Sequence, residues 1–135
     1  MSNDLNEKLQ QAFGRFTARD LAGTERLCVE ILRAVPQHPD ALHLLGVVHM
    51  VSGKPREAVS FINRALKVAP RDAAMQENLG MARAALGDFR AAEAAFRQAL
   101  ALGASHAQLH MRLGLALGAQ GKRADAVSAL RAAAG

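Results

Sequence analysis

Two histidines on one predicted helical stretch are the first candidates for a chemical site. His106 and His110 are four residues apart, a spacing that places two imidazoles on one helix face, where they could share a metal ion. However, no glutamate lies between them in an H-E-x-x-H arrangement, and no third ligand is near in sequence. The spacing therefore favours structural histidines, and the sequence predicts neither a metal site nor a cofactor.

No other residues form a recognisable catalytic set. No serine, cysteine or lysine is framed by a general base, and the glycines do not form a phosphate-binding run after a strand. Cys28 is the only cysteine, so an internal disulfide is impossible. We expect this thiol to be buried and unreactive. The sequence thus predicts a non-enzyme with no catalytic residue.

The charge of the chain is basic, with a formal net charge of +5. Much of the excess lies in residues 89–135, where six basic side chains face only Glu93 and Asp125. Such a surface can attract nucleic acid, but the charges are spread over several predicted helices, and the chain has no tyrosine or tryptophan to stack on bases. The sequence favours a solvated outer face over nucleic-acid binding.

The termini and apolar runs give no sign of a membrane protein. Residues 1–9 are polar and contain no apolar core of a signal peptide. No run approaches the roughly 18 apolar residues that a membrane-spanning helix requires. A cytoplasmic location is the expectation.

The structural elements on which any site must lie belong to a pattern that repeats every 34 residues. Leu-Gly pairs end at Gly46, Gly80 and Gly114, and we call these the marker glycines. A second glycine follows each marker after seven residues, and alanines follow after twelve and nineteen. Sixteen residues after the markers lie the bulky side chains of Ile62, Phe96 and Leu130. Small and large residues at fixed places indicate one structural unit that is packed in the same way each time.

This pattern resembles the tetratricopeptide repeat, a helix-turn-helix unit of 34 residues. The resemblance implies an all-α fold, a right-handed superhelical α-solenoid of about four repeats and eight helices in a single domain, 1–135. The repeats are predicted at 5–38, 39–72, 73–106 and 107–135, of which the last is incomplete. The first is degenerate, because Ala12 takes the marker position and Cys28 the bulky one.

Local signals for the helix ends agree with this unit. The glycine seven residues after each marker can adopt a positive φ and end the first helix, and Pro55 suits the first turn of a second helix. Asp40, Asp72 and Ser105 are predicted to cap the helices that follow them.

Helical spacing also predicts a surface that is free of packing within the repeat. The positions three before and one, four and five after each marker share one face of the first helix, and we call this face the first-helix stripe. Asn78 and Arg112, two residues before their markers, lie at its edge and could hold a peptide backbone or a carboxylate. The larger members of the stripe are Phe13, Phe16, His43, Val47, Met50, Val51, Glu77, Met81, Met111 and Leu115.

The resemblance gives this stripe a function, because the first helices of such solenoids line a concave groove that holds an extended peptide or a helix. A protein-interaction scaffold or adaptor with a protein or peptide partner is therefore the leading hypothesis. Its alternative is packing of the stripe residues against one another across repeats. A substrate-recruiting N-terminal domain of a larger glycosyltransferase or sulfotransferase is a second functional hypothesis. Val127 and Leu130 lack a following helix to cover them. Another copy of the chain, a downstream domain or the local charges of Lys122, Arg123 and Arg131 could cover this end, so self-association through the groove or through this end is a further hypothesis.

Overall fold

The computed structural model describes residues 2–135, and side chains from Asp4 onward. This part of the chain contains eight helices and no strand, which confirms the all-α prediction. The helices are α1 (Ser2–Thr17), α2 (Leu21–Ala34), α3 (Pro39–Val51), α4 (Pro55–Val68), α5 (Ala73–Ala85), α6 (Phe89–Ala101), α7 (Ala107–Ala119) and α8 (Arg123–Ala134).

The helices belong to two compact units. The N-terminal unit extends to Pro70 and contains α1 to α4, and the C-terminal unit runs from Arg71 to Gly135 and contains α5 to α8. Within each unit, every helix packs against the next one in sequence, and the first helix also contacts the third. Each unit is therefore two helical hairpins with a shared core.

The marker glycines explain how the two helices of a hairpin approach each other. A Cβ atom built on Gly80 in α5 would lie 2.5 Å from a ring carbon of Phe96 in α6. At Gly114 the same atom would lie 2.8 Å from Leu130 in α8. The predicted pairing of a small residue with the bulky residue sixteen positions later is thus present in the packing. Even an alanine at these markers would force its partner to move.

The first repeat solves the same contact with different residues. Ala12 and Cys28 are both fully buried and lie in one core cluster with Leu44 and Leu45. Burial, with a smaller contribution from Glu25, raises the pKa of the Cys28 thiol to about 12. The residue is therefore a protonated, apolar packing element, as the sequence predicted.

The turns between paired helices follow the predicted backbone. Gly53, Gly87 and Gly121 have φ values of 79°, 78° and 78°, the left-handed region that glycine adopts without a steric penalty.

The predicted helix caps were only partly right. Asp72 accepts a hydrogen bond from the backbone N–H of Met75 (3.0 Å), so this cap is confirmed.

Two predicted caps were wrong. The N-cap of α3 is His38 rather than Asp40, because Pro39 already occupies the first turn and places Asp40 inside the helix. Likewise, the N-cap of α7 is His106 rather than Ser105. In both cases Nδ1 of the imidazole accepts the backbone N–H three residues later, and so replaces the usual oxygen acceptor.

A buried-edge carboxylate ties the α7–α8 turn to α6. The Glu93 side chain is only 14% exposed. It accepts hydrogen bonds from Arg97 Nε (2.8 Å), Lys122 Nζ (2.9 Å) and Gln120 Nε2 (2.9 Å). These donors, Arg97 first and Lys122 second, lower the pKa of Glu93 from 4.5 to about 2. The ionised carboxylate is therefore the form that links α6 of the third repeat to the α7–α8 turn of the fourth.

The marker contact gives a first prediction. Gly80→Ala should lower the free energy of unfolding by about 1–3 kcal/mol, because the new methyl group overlaps the Phe96 ring. The matched control is Gly14→Ala in α1, where nothing lies within 4 Å of the new atom. The control should gain roughly 0.5–1 kcal/mol from helix propensity. Denaturant titration measures both, and equal effects at the two sites would contradict the close-approach explanation.

The Glu93 contacts give a second prediction, on acid stability. Since the folded pKa of Glu93 is about 2 and its ordinary value is 4.5, its stabilising contribution is fully present above pH 4.5 and is lost as the pH falls toward 2. Glu93→Gln should therefore be less stable than the wild type at neutral pH, and the difference should vanish near pH 2. Denaturant titrations across this range measure it, with exposed Glu57→Gln as the charge control. A difference that does not change with pH would count against the assignment.

Candidate functional site

The first-helix stripe leaves several apolar side chains open to solvent. Phe13 and Val51 in the N-terminal unit are 48% and 54% exposed, and Met111 and Leu115 in the C-terminal unit are 42% and 61% exposed. The other predicted members are half-buried, namely Phe16, His43, Val47, Met50, Glu77 and Met81, together with Asn78 and Arg112 at the edge. Each unit thus exposes bulky apolar residues at positions of the stripe.

Part of the stripe in the C-terminal unit lines an apolar cavity of about 320 Å³. Three predicted site residues meet here, with Met81 and Leu115 as apolar walls and Arg112 at the side. Its size is at the lower end of the range typical of ligand pockets. The full lining is Met81, Ala84, Phe89, Phe96, Arg112, Leu115 and Ala116.

The N-terminal unit has its own cavity of about 510 Å³. Two predicted residues, Phe16 and Val51, line it. The remaining wall consists of Thr17, Arg19 and Leu21, from the end of α1 and the beginning of α2. We call this space the N-unit cavity and its counterpart above the C-unit cavity.

The two cavities occupy equivalent positions of the repeat. Phe16 and Ala84 are both four residues after their markers, and Leu21 and Phe89 are both nine after. Sequence reasoning missed Leu21 and Phe89, which begin α2 and α6. The sequence signal that could have identified them is a large apolar residue in the first turn of the second helix. Capping at this end of a helix requires only polar side chains.

The charged groups beside the C-unit cavity are paired with one another. The Glu77 carboxylate is 13% exposed and accepts from Nη1 of Arg112 and from Nε2 of His106, the latter at 2.9 Å. Because Nδ1 of His106 accepts the N–H of Leu109, a neutral imidazole carries its proton on Nε2 and donates it to Glu77. Arg112 also donates to Gln108 (3.4 Å). A ligand carboxylate that binds Arg112 must therefore compete with Glu77.

The two histidines considered for a metal ion have other hydrogen-bond partners. His106 caps α7 and bonds Glu77 as above, and Nε2 of His110 lies 3.3 Å from the Ser105 hydroxyl. Among the residues with described side chains, no three histidine, cysteine or acidic residues are placed to hold a metal ion. Over the same part of the chain, no helix has both the length and the apolar character to cross a bilayer.

The structure separates Met111 from the C-unit cavity. Met111 lies with Leu130 along a shallow space of about 330 Å³ that is lined otherwise by Ala107, Gln108, Ala133 and Ala134. Leu130 is 41% exposed and Val127 is 46% exposed. The equivalent of Leu130 in the preceding repeat, Phe96, is 1% exposed. Leu130 is thus more exposed in the described chain than its equivalent in the preceding repeat.

Family models place the chain among known proteins. A model described as the tetratricopeptide repeat matches residues 37–105. A second model with the same description matches residues 77–135. Together the two models cover the second, third and fourth predicted repeats.

Solved structures show similar folds. The chain is 28% identical to a mutant of the Thermobaculum terrenum O-GlcNAc transferase, with a TM-score of 0.82 over 86% of this chain. It spans only 22% of that transferase. A crystal structure of MamA protein is 24% identical, with a TM-score of 0.86 over 98% of this chain and 73% of its own. MamA from Desulfovibrio magneticus RS-1 is 19% identical, with a TM-score of 0.87 over 97% and 74% of the two chains.

A search of curated proteins finds no match to the sequence. The two MamA chains are under 25% identical, so their likeness concerns the fold. The structural similarity nevertheless extends over nearly the whole described chain.

Proposed function

The chain belongs to the tetratricopeptide repeat family, and from this membership we propose a protein-interaction scaffold whose first-helix stripe binds an apolar peptide or helix of a partner protein. The family supports the scaffold role, and the stripe supplies the proposed contact. The chain acts in this proposal as a binding module without catalysis.

The observation that carries the proposal is the C-unit cavity. Its wall includes Leu115, which is 61% exposed beside an apolar space. Leaving such a side chain in water forgoes burial that is worth about 1.5–3 kcal/mol for a leucine. A bulky apolar side chain of a partner that enters between Met81 and Leu115 recovers part of this free energy. The flexible thioether of Met81 can adjust to the shape of the side chain that enters.

The charged group beside the cavity supports recognition of a polypeptide. Arg112 is held by Glu77 at the edge of the apolar wall, so its guanidinium is already oriented. Its donors that do not bond Glu77 can reach the backbone carbonyls of a bound segment. An apolar floor with one oriented polar group is the usual composition of a selective binding pocket.

A second function has a specific observation in its favour. The T. terrenum O-GlcNAc transferase is similar to 86% of this chain. A segment of this kind can recruit substrate proteins to a catalytic domain in the same polypeptide. Sequencing the gene beyond the codon for Gly135 tests this candidate. A glycosyltransferase domain in the same reading frame supports it, and a stop codon removes it.

The binding proposal predicts the effect of a charge on the stripe. Peptides selected from a random display library on the immobilised chain should bind with an affinity that falls about tenfold or more on Leu115→Glu or on Val51→Glu. The reason is that each change places a carboxylate against the apolar ligand. Fluorescence polarisation of the labelled peptides measures the dissociation constants.

The matched control is Gln98→Glu, which adds the same charge at an exposed position of α6 outside the stripe. It should leave binding unchanged. Circular dichroism verifies that all three variants keep the helicity of the wild type. The proposal is wrong if no peptide is enriched, or if the enriched peptides bind the two stripe variants as well as they bind the wild type.

A further inference from the structure

One residue departs from the repeat pattern at a turn position where the backbone has a positive φ. Seven residues after the marker position, the second, third and fourth repeats have Gly53, Gly87 and Gly121. The first repeat has Arg19 there, with a φ of 64°. Among the described residues, Arg19 is the only one other than glycine with a positive φ. An L-amino acid with a side chain adopts this backbone region at a steric cost that glycine avoids.

The position of the Arg19 side chain shows what it could do. Arg19 is exposed and lines the N-unit cavity, together with Phe16, Leu21 and Val51. In the part of the chain with described side chains, the Arg19 guanidinium makes no hydrogen bond or salt bridge. Among the lining residues it is also the only charged one. The lining thus combines three bulky apolar residues with one cationic residue.

The nearest acidic residue in the chain does not neutralise this cation. Asp20 caps α2, where its Oδ1 accepts the backbone N–H of Gly23 at 2.9 Å. Its other oxygen lies 3.4 Å from Arg15 Nη1. In contrast, the arginine at the C-unit cavity, Arg112, is paired with Glu77. The two cavities therefore differ in the charge that they offer to a ligand.

We propose that the N-unit cavity binds an acidic, apolar peptide segment of a partner protein, with one bulky apolar side chain in the cavity and a neighbouring aspartate or glutamate paired with Arg19. This inference rests on the proposed function and names the chemistry of the partner. Charge complementarity carries it, because the unpaired cation at the cavity selects a negative group.

The surroundings of the cavity favour a peptide over a small acid. Apolar surface continues beyond the cavity on α1, where Phe13 is 48% exposed, and at its rim, where Val51 is 54% exposed. A ligand that fills only the cavity leaves Phe13 in water. A peptide segment covers Phe13 with a second apolar side chain while its acidic residue reaches Arg19.

A charge-reversal experiment tests the pairing. Peptides enriched from the random library on the full chain are measured against wild type and Arg19→Glu by fluorescence polarisation. We expect peptides with an acidic residue near a bulky apolar one to lose about tenfold or more in affinity on Arg19→Glu. Replacing the acidic residue of such a peptide by lysine should restore its binding to Arg19→Glu and weaken its binding to the wild type.

The matched control is Arg33→Glu, which makes the same charge change at the exposed far end of α2. It lies about 18 Å from Leu21 along the helix axis at 1.5 Å per residue. It should change affinity much less than Arg19→Glu does. If the two variants weaken binding equally, the effect is one of net charge, and the proposed pairing is wrong.

A second variant separates binding from folding. Arg19→Gly places at this turn the residue that the other three repeats use, so it should keep or raise the melting temperature while it removes the preference for acidic peptides. A clear fall in melting temperature would mean that Arg19 has a structural role, and would overturn the proposal.

The remaining outcomes are also decisive. If peptides bind through Leu115 but none depends on Arg19, this inference fails and the proposed function stands. If no peptide is enriched, both fail. If decanoate binds the cavity in an Arg19-dependent way while no peptide does, the occupant is a small acid. If light scattering shows a dimer that Arg19→Glu dissociates, the occupant is a second copy of the chain. Either of these last two results overturns the peptide assignment.

Discussion

The structure depends on one contact that recurs between paired helices. A residue with little or no side chain on the first helix meets the side chain sixteen positions later on the second, as Gly80 meets Phe96 and Gly114 meets Leu130. The close approach buries the interior of each hairpin. Where the marker is Ala12, the partner is the smaller Cys28. The volumes of the two side chains therefore differ among the repeats, while their positions in the repeat stay the same.

This contact also decides which residues remain available for binding. Because the marker face of a first helix packs on its own second helix, the adjacent face is less buried, although Phe16 and Met81 still pack against the core from it. The residues one after the marker illustrate this, since Phe13 and Leu115 remain 48% and 61% exposed while the neighbouring Ala12 is fully buried. The apolar surface proposed for binding is therefore a consequence of the same helical periodicity that builds the core.

The sequence predicted the fold well because its signals are local and repeated. The spacing of small and large residues indicates paired helices, and the turn glycines were found with the expected positive φ. Details that depend on contacts distant in sequence were not predictable in this way. The pairing of Arg112 with Glu77 joins residues 35 positions apart, and no periodicity signals it. The missed caps had a local cause, since the prediction considered only oxygen acceptors, whereas His38 immediately precedes the helix that it caps and accepts through an imidazole nitrogen.

The comparison among repeats separates residues that keep the fold from those that can give specificity. At a position where three repeats have the glycine that the backbone favours, any other residue lowers the quality of the turn. Arg19 is such a case, with a φ of 64°. Backbone positions held in sparsely populated regions cluster at functional sites. Since Arg19 lies at the N-unit cavity, which is larger than the C-unit cavity, the departure from the repeat coincides with the roomier of these two cavities.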